Sequence, residues 1–197
     1  GLPDRASLPW LVASTVLHLG YYFALAGAYR LADMGQVYPV ARGSAPLMTA
    51  LFAVVVLGEP ISRMGGAGIG LLALGIVVMA MRHPADAAHM DRRALLFAGA
   101  TAVTICGYTL TDGIGARVSG NALAYSAALF VMDGVCLTGV ALALPGRARL
   151  SPALAYWKQG LAGGLMSCGA YSIAIWAMTV APIPLVAAVR ETSVLFG

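Results

Sequence analysis

Four stretches of the chain, Ser7 to Tyr29, Met64 to Met81, Ala94 to Thr111 and Gln159 to Val189, contain no Asp, Glu, Lys or Arg. A hydrocarbon layer about 30 Å thick takes roughly 20 residues of helix to cross, so each stretch holds at least one span. The last is long enough to hold a turn as well. Backbone at that depth has no water to bond, and a helix satisfies its own N–H and C=O groups. The chain is therefore expected to be an all-α polytopic membrane protein. With 60% hydrophobic and 10% charged residues, and a mean hydropathy of +0.84, it has too little charge to cover a soluble domain.

Spans are expected at 9–30, 37–57, 63–81, 94–117, 121–144 and 159–181, with a partial one at 185–197. Trp10 and Trp157 fall where an interfacial belt would put them. No segment has the length or polarity of a soluble domain. The net charge of +4 comes from basic residues scattered among loops, without an aromatic platform, so no nucleic-acid partner is expected. Cys106, Cys136 and Cys168 lie in apolar runs without metal-ligand spacing and read as small core residues. His18, alone on an apolar face, reads as a hydrogen-bonded core residue. His83 and His89 share a loop with Asp86 and Asp91 but with nothing else that suggests a metal. The Gly-Xaa-Gly patterns follow no strand, so no phosphate-binding loop is expected. Neither a metal nor a cofactor is expected, and no catalytic residue either, since no nucleophile–base grouping lies at depth.

Arg42 follows Tyr38 and Pro39 by a few residues; Arg190, 148 residues later, follows Pro182 and Pro184. At that constant offset Phe23 meets Tyr171, Ala26 meets Ala174, Ser44 meets Thr192 and Leu47 meets Leu195. Five spans per period is an odd number, so a second copy would run the opposite way through the bilayer, as in the inverted repeats of secondary transporters. The expected fold is part of a ten-helix protein built from two inverted five-helix repeats. Residues 1–81 would be the last three helices of the first repeat and 82–93 the connecting loop. Residues 94–197 would be the first three helices of the second repeat and the start of its fourth. A chain that opens at Gly1 and stops at Gly197 would then be a fragment. Gly66 and Gly70 form a GxxxG in the third span, and Gly160 and Gly164 another in the sixth. Small faces like these let helices approach closely, within the chain first, with a homodimer as the second option.

The intramembrane charges Arg42, Asp112, Asp133, Arg190 and Glu191 should turn inward, toward each other or toward a water-filled cavity. One reading has Arg42 and Arg190 framing a site for an anionic or zwitterionic solute, because the planar guanidinium binds carboxylate or phosphate in bidentate fashion. Tyr38 and Ser44, beside Arg42, are further substrate-binding candidates. The other reading is an ion-pair network that fixes helix register. Glu191, Asp112 and Asp133 are candidates for proton coupling or ion pairing. Equally, Asp112 and Asp133 would be loop or cap residues, given Gly113, Gly115 and Gly134 nearby. Pro39, Pro46 and Glu59 read as structural: Pro39 as a helix start, Pro46 as a kink, and Glu59–Pro60 as the end of a span.

The stretch Val37-Tyr-Pro-Val-Ala-Arg-Gly-Ser-Ala-Pro46, continuing through Leu57-Gly-Glu-Pro60 and the glycines from Gly65 to Gly75, resembles the fourth and fifth helices of EamA-type transporters of the drug/metabolite transporter superfamily. Gly107-Tyr-Thr-Leu-Thr-Asp-Gly113 is similar to the sixth helix of that fold, and Val189-Arg-Glu-Thr-Ser-Val194 to the start of its ninth. The resemblance covers nearly the whole chain. It implies a multi-pass bacterial inner-membrane protein that moves or effluxes a small polar, anionic or amphipathic metabolite by alternating access, with proton coupling as an option. Arg42 and Glu59 match positions in that pattern, and Arg190–Glu191 the mirrored ones. Against the family's orientation, the 82–93 and 145–158 loops with Arg30 hold seven of the ten basic residues outside Arg42 and Arg190, and the positive-inside rule would make that side cytoplasmic. The alternatives are a lipid-carrier flippase and a non-transporting membrane scaffold or receptor.

Overall fold

The computed structural model describes residues 2–31, 34–81, 92–143 and 155–192, without the side chains of 34–40, 73, 76, 77 and 79–81. Helices run through nearly all of it. A single 3-10 turn, Arg5–Ser7, leads into α1 (Leu8–Leu31), followed by α2 (Met34–Val55), α3 (Arg63–Met81), α4 (Arg92–Ser119), α5 (Ala122–Ala143), α6 (Trp157–Val180) and α7 (Ile183–Glu191). These helices fall where charge-free sequence places them. Arg92 and Arg93, expected at the end of the connecting loop, instead open α4; long basic side chains extend a span into the interface by reaching outward. Four segments, Arg5–Leu31, Arg92–Ser119, Ala122–Ala143 and Trp157–Val180, are long and apolar enough to cross a membrane. The chain has the makeup of an all-α membrane protein.

Its polarity is inside out. Along α5, Val131 and Val135 are 65% and 68% exposed while Asp133 between them is 6% exposed. Leu96, Val103, Leu123, Leu165, Ile173 and Val180 also face outward, whereas Ser14, Thr101, Thr109, Asp112 and Ser126 are buried. An aqueous solvent would select the reverse; hydrocarbon selects this. Thr49, Thr101 and Ser126 return their hydroxyls to the carbonyls of Ala45, Phe97 and Ala122 one turn back, which satisfies them inside their own helices.

The central helix is α4, packed along α1 and α2 and touching α5, α6 and α7. Alanines make its seam with α1 and α2: Ala28, Ala41 and Ala98 form one cluster, and Ala45 and Ala102 belong to another with Ile105 and Tyr108. Side chains this small bring backbones close, which is what holds helices together where lipid removes the hydrophobic drive. Glycine packing occurs elsewhere than at the two GxxxG pairs. A Cβ at Gly66 would touch only Ile61, at 3.9 Å, and one at Gly70, Gly160 or Gly164 would meet no described atom within 4 Å. The close approaches are at Gly27 against Phe97, Gly65 against Leu185, Gly113 against Ile183, and Gly115 against Tyr125.

At one end of the bundle the chain turns tightly. Gly120, at φ 65°, takes the left-handed conformation open to glycine, and Asn121 then caps α5 by accepting the Ala124 N–H at 3.0 Å. Beside it Glu59, just past the end of α2, accepts the Ile183 N–H that opens α7, at 2.7 Å. Further along the same two helices Arg42 reaches Glu191. Helices α2 and α7 therefore run antiparallel. Pro46 is buried in α2, whose helix continues through it; with no N–H at 46, the Arg42 carbonyl lacks its helical donor.

Candidate functional site

The five charges expected within the membrane lie in one neighbourhood of the bundle, and two of them meet on a third. Glu191, 4% exposed, holds Oε1 3.8 Å from Arg42 Nη1 and 3.6 Å from Arg190 Nη2. Both distances are ion-pair contacts longer than a hydrogen bond. Adjacent helical residues diverge by about 100°, so Arg190 and Glu191 touch only because the long arginine curls back. Glu191 Oε2 and Arg190 Nε are buried without a hydrogen-bond partner.

The Arg190 guanidinium lies over two aromatic rings, 5.5 Å from the centroid of Tyr171 and 5.9 Å from that of Tyr108. Both rings present the negative face of their π-systems, an attraction of about 2 kcal/mol or more when desolvated. Tyr108 also stacks on His18, with centroids 4.2 Å apart and planes 18° from parallel. Tyr171 meets the same imidazole edge-on at 5.9 Å. Behind the rings sits Asp112, fully buried in α4, which accepts the Tyr171 hydroxyl at 2.6 Å and the Tyr125 hydroxyl at 3.1 Å.

The second carboxylate is treated differently. Asp133 Oδ2 is 3.8 Å from His18 Nδ1, and Oδ1 is buried with no partner. His18 Nδ1 lies 3.0 Å from the Ser14 carbonyl and 3.1 Å from its hydroxyl. A carbonyl only accepts, so this contact places a hydrogen on Nδ1. The Thr15 hydroxyl, one position along, is also buried and unbonded.

Asp112 and Asp133 are thus mid-helix and buried, not in loops or caps, because inward-facing positions of α4 and α5 are the ones that avoid lipid. His18 is hydrogen-bonded in the core as expected, but in the company of Tyr108, Tyr171 and Asp133 rather than alone. Ser44 is half-buried on α2 and, like Arg42, engaged in interactions within the fold. Tyr38 and Pro39 lie in the helical run of α2, but their side chains fall outside the described residues, as do the 82–91 loop with His83 and His89. Glu59 joins more than the end of a span: besides Ile183 it pairs with Arg117, whose remaining donors reach the Met178 and Ala181 carbonyls at 2.8 and 3.1 Å. Sequence reasoning passed over Arg117, Tyr108, Tyr125 and Tyr171. The available signal was spacing: Tyr108 precedes Asp112, and Ser14 precedes His18, by one helical turn.

An open cleft of about 470 Å³ at the α4–α5 turn, lined by Arg117, Asn121, Trp176 and Thr179, is separate from the charged cluster. Among the described residues no group of three His, Cys, Asp or Glu side chains is arranged to hold a metal ion. Compared with models of known protein families, with curated proteins and with solved structures, the chain matches none.

Proposed function

We propose that the chain belongs to a secondary transporter of a small anionic, zwitterionic or amphipathic metabolite, of the EamA type and the inverted-repeat design. The observation that carries this reading is the meeting of Arg42 and Arg190, from antiparallel helices, on one loosely held carboxylate. An arginine at bilayer depth costs about 2.5–3.5 kcal/mol on insertion scales. Two of them meet on a single glutamate, with Arg190 Nε and Glu191 Oε2 lacking partners. Glu191 occupies the position of a ligand carboxylate, and a solute's carboxylate or phosphate would displace it and bond the guanidiniums bidentately. The tyrosine rings suit an amphipathic body attached to that anion.

Helix lengths support the repeat. Helices α1 and α6 each have 24 residues. They begin at Leu8 and Trp157, while α2 and α7 begin at Met34 and Ile183, the same interval in both cases. Corresponding helices of an inverted repeat run in opposite directions, and α2 and α7 do.

The test is exchange in proteoliposomes, loaded in turn with labelled dicarboxylates, amino acids and sugar phosphates. Arg42→Gln and Arg190→Gln are expected to abolish exchange of whichever anion the unaltered protein carries, while each protein still folds, with a single cooperative melting transition in detergent. Normal exchange by the doubly substituted protein overturns the proposal and favours a structural network. Failure of every anion, with uptake of a lipid-linked substrate instead, favours the flippase.

A further inference from the structure

The charged cluster contains two carboxylates in opposite circumstances. Asp112 receives two phenol hydrogens; Asp133 Oδ1 has no partner at hydrogen-bond distance, and its Oδ2 stands 3.8 Å from His18 Nδ1. Nearly all buried polar atoms in folded proteins are partnered, and an ionised carboxylate without a donor is among the costliest to leave alone. Asp133 lies midway along α5, with its side chain 8% exposed beside His18 at 9%. Its bare oxygen and the unbonded Thr15 hydroxyl both belong to this interior, and the two side chains are near enough to interact.

We infer that Asp133, with His18 and Thr15 facing it from α1, is the seat of the driving proton for the transport proposed above, on which this inference rests. The proton comes from water on one side, forms an O–H bond at Oδ1, and leaves to water on the other side as that bond breaks. Sodium suits the site less well, since it seeks several oxygen ligands and the group facing Asp133 Oδ2 is an imidazole nitrogen.

The groups around Asp133 set the conditions. His18, Thr15 and Tyr22 face it from α1, Asp112 from α4, and Tyr125 from its own helix. Arg190 acts on His18 and Asp112 from α7. The link to the anion site is short. Tyr108 and Tyr171 each touch both His18 and Arg190. A proton that changes how His18 sits against Asp133 therefore moves the same two rings that carry the Arg190 guanidinium. Ser14, bonded to His18 and within reach of Asp112, supplies a second connection.

The experiment has two arms on the full chain. In the first, infrared difference spectra of the purified protein across a pH titration are expected to contain the C=O stretch of a protonated carboxyl. That band should vanish in Asp133→Asn and survive with a displaced midpoint in Asp133→Glu. It needs no substrate, so it stands apart from the transport reading. A band unchanged in Asp133→Asn overturns the inference. In the second, Asp133→Asn in proteoliposomes should keep anion exchange but lose accumulation driven by a pH gradient by about tenfold or more, the scale of coupling between sites. Exchange with no response to a pH gradient in the unaltered protein overturns the inference and leaves the transport reading standing. Accumulation driven by a sodium gradient and lost in Asp133→Asn overturns the proton assignment. Absence of exchange in the unaltered protein overturns both.

Discussion

Arg117 and Glu59 form an ion pair that ties the end of α4 to the segment after α2, and each partner also holds the corner between α6 and α7. Arg117 donates to the Met178 and Ala181 carbonyls, which end α6. Glu59 accepts the first N–H of α7. Both helix termini at that corner would otherwise present unsatisfied backbone groups. One ion pair thus serves as cap for two helices.

Because of this arrangement, reversing the pair should not rescue stability. A glutamate at 117 cannot donate to carbonyls, and an arginine at 59 cannot accept an N–H. Glu59→Gln keeps an acceptor and is expected to cost about 1 kcal/mol, the net value of a typical hydrogen bond. Glu59→Ala should cost more, and the exchanged pair Glu59→Arg with Arg117→Glu should be no more stable than Glu59→Ala. Thermal unfolding in detergent, monitored by helical circular dichroism, ranks the three. Full recovery in the exchanged protein would reduce the contact to simple charge pairing, which is weak at an exposed site.

Tyr171 has two roles that one substitution separates. Its hydroxyl bonds Asp112 and its ring carries Arg190. Tyr171→Phe keeps the ring and removes a hydrogen bond to a carboxylate, worth about 1.5–3 kcal/mol. Stability should fall while affinity for an anion at Arg190 is largely kept. Tyr171→Leu removes the ring as well and should weaken both. Melting temperature and calorimetric titration with the transported anion distinguish the cases; equal loss of affinity in both would assign the effect to the hydroxyl.

Arg190→Lys preserves the charge and the attraction to the rings but replaces a planar fork by a single ammonium. If the anion is held bidentately, affinity should drop by about one to two orders of magnitude, since one lost charge-assisted bond is worth roughly 1.5–3 kcal/mol. Unchanged affinity would mean that the site supplies charge alone.

The positions of the helices were legible because charge is excluded from hydrocarbon: the interval from Ser7 to Tyr29 leaves α1 little choice of where to lie. The charged members of the cluster were legible for the same reason, each being an expensive residue with a cause to be found. The tyrosines were not. In an apolar helix Tyr108, Tyr125 and Tyr171 fit a core, an interface or a site equally well, and only the crossing of α4 with α5 and α6 brings two of their hydroxyls to Asp112. Glu59 and Arg117 were hidden differently. Each sits at a span end, where a charge is ordinary, and their pairing depends on which ends the fold brings together. The glycine pairs stand apart, because spacing identifies a small face without saying what covers it.

Gly115 and Gly70 offer a direct comparison of glycine with and without a neighbour. A Cβ at Gly115 would stand 2.5 Å from the Tyr125 hydroxyl and 2.7 Å from its ring, and that hydroxyl is bonded to Asp112. The ring is rigid and fully buried, so it has nowhere to retreat. Gly115→Ala should therefore cost about 1–3 kcal/mol through overpacking, and should disturb Asp112 in the same stroke. A Cβ at Gly70 meets no described atom within 4 Å, and alanine is the better helix former by about 1 kcal/mol. Gly70→Ala should leave the unfolding temperature unchanged or slightly raised when the protein is dilute in detergent. If Gly70→Ala instead lowers it, and lowers the proportion of dimer in cross-linking at the same time, the α3 face is covered by a second copy.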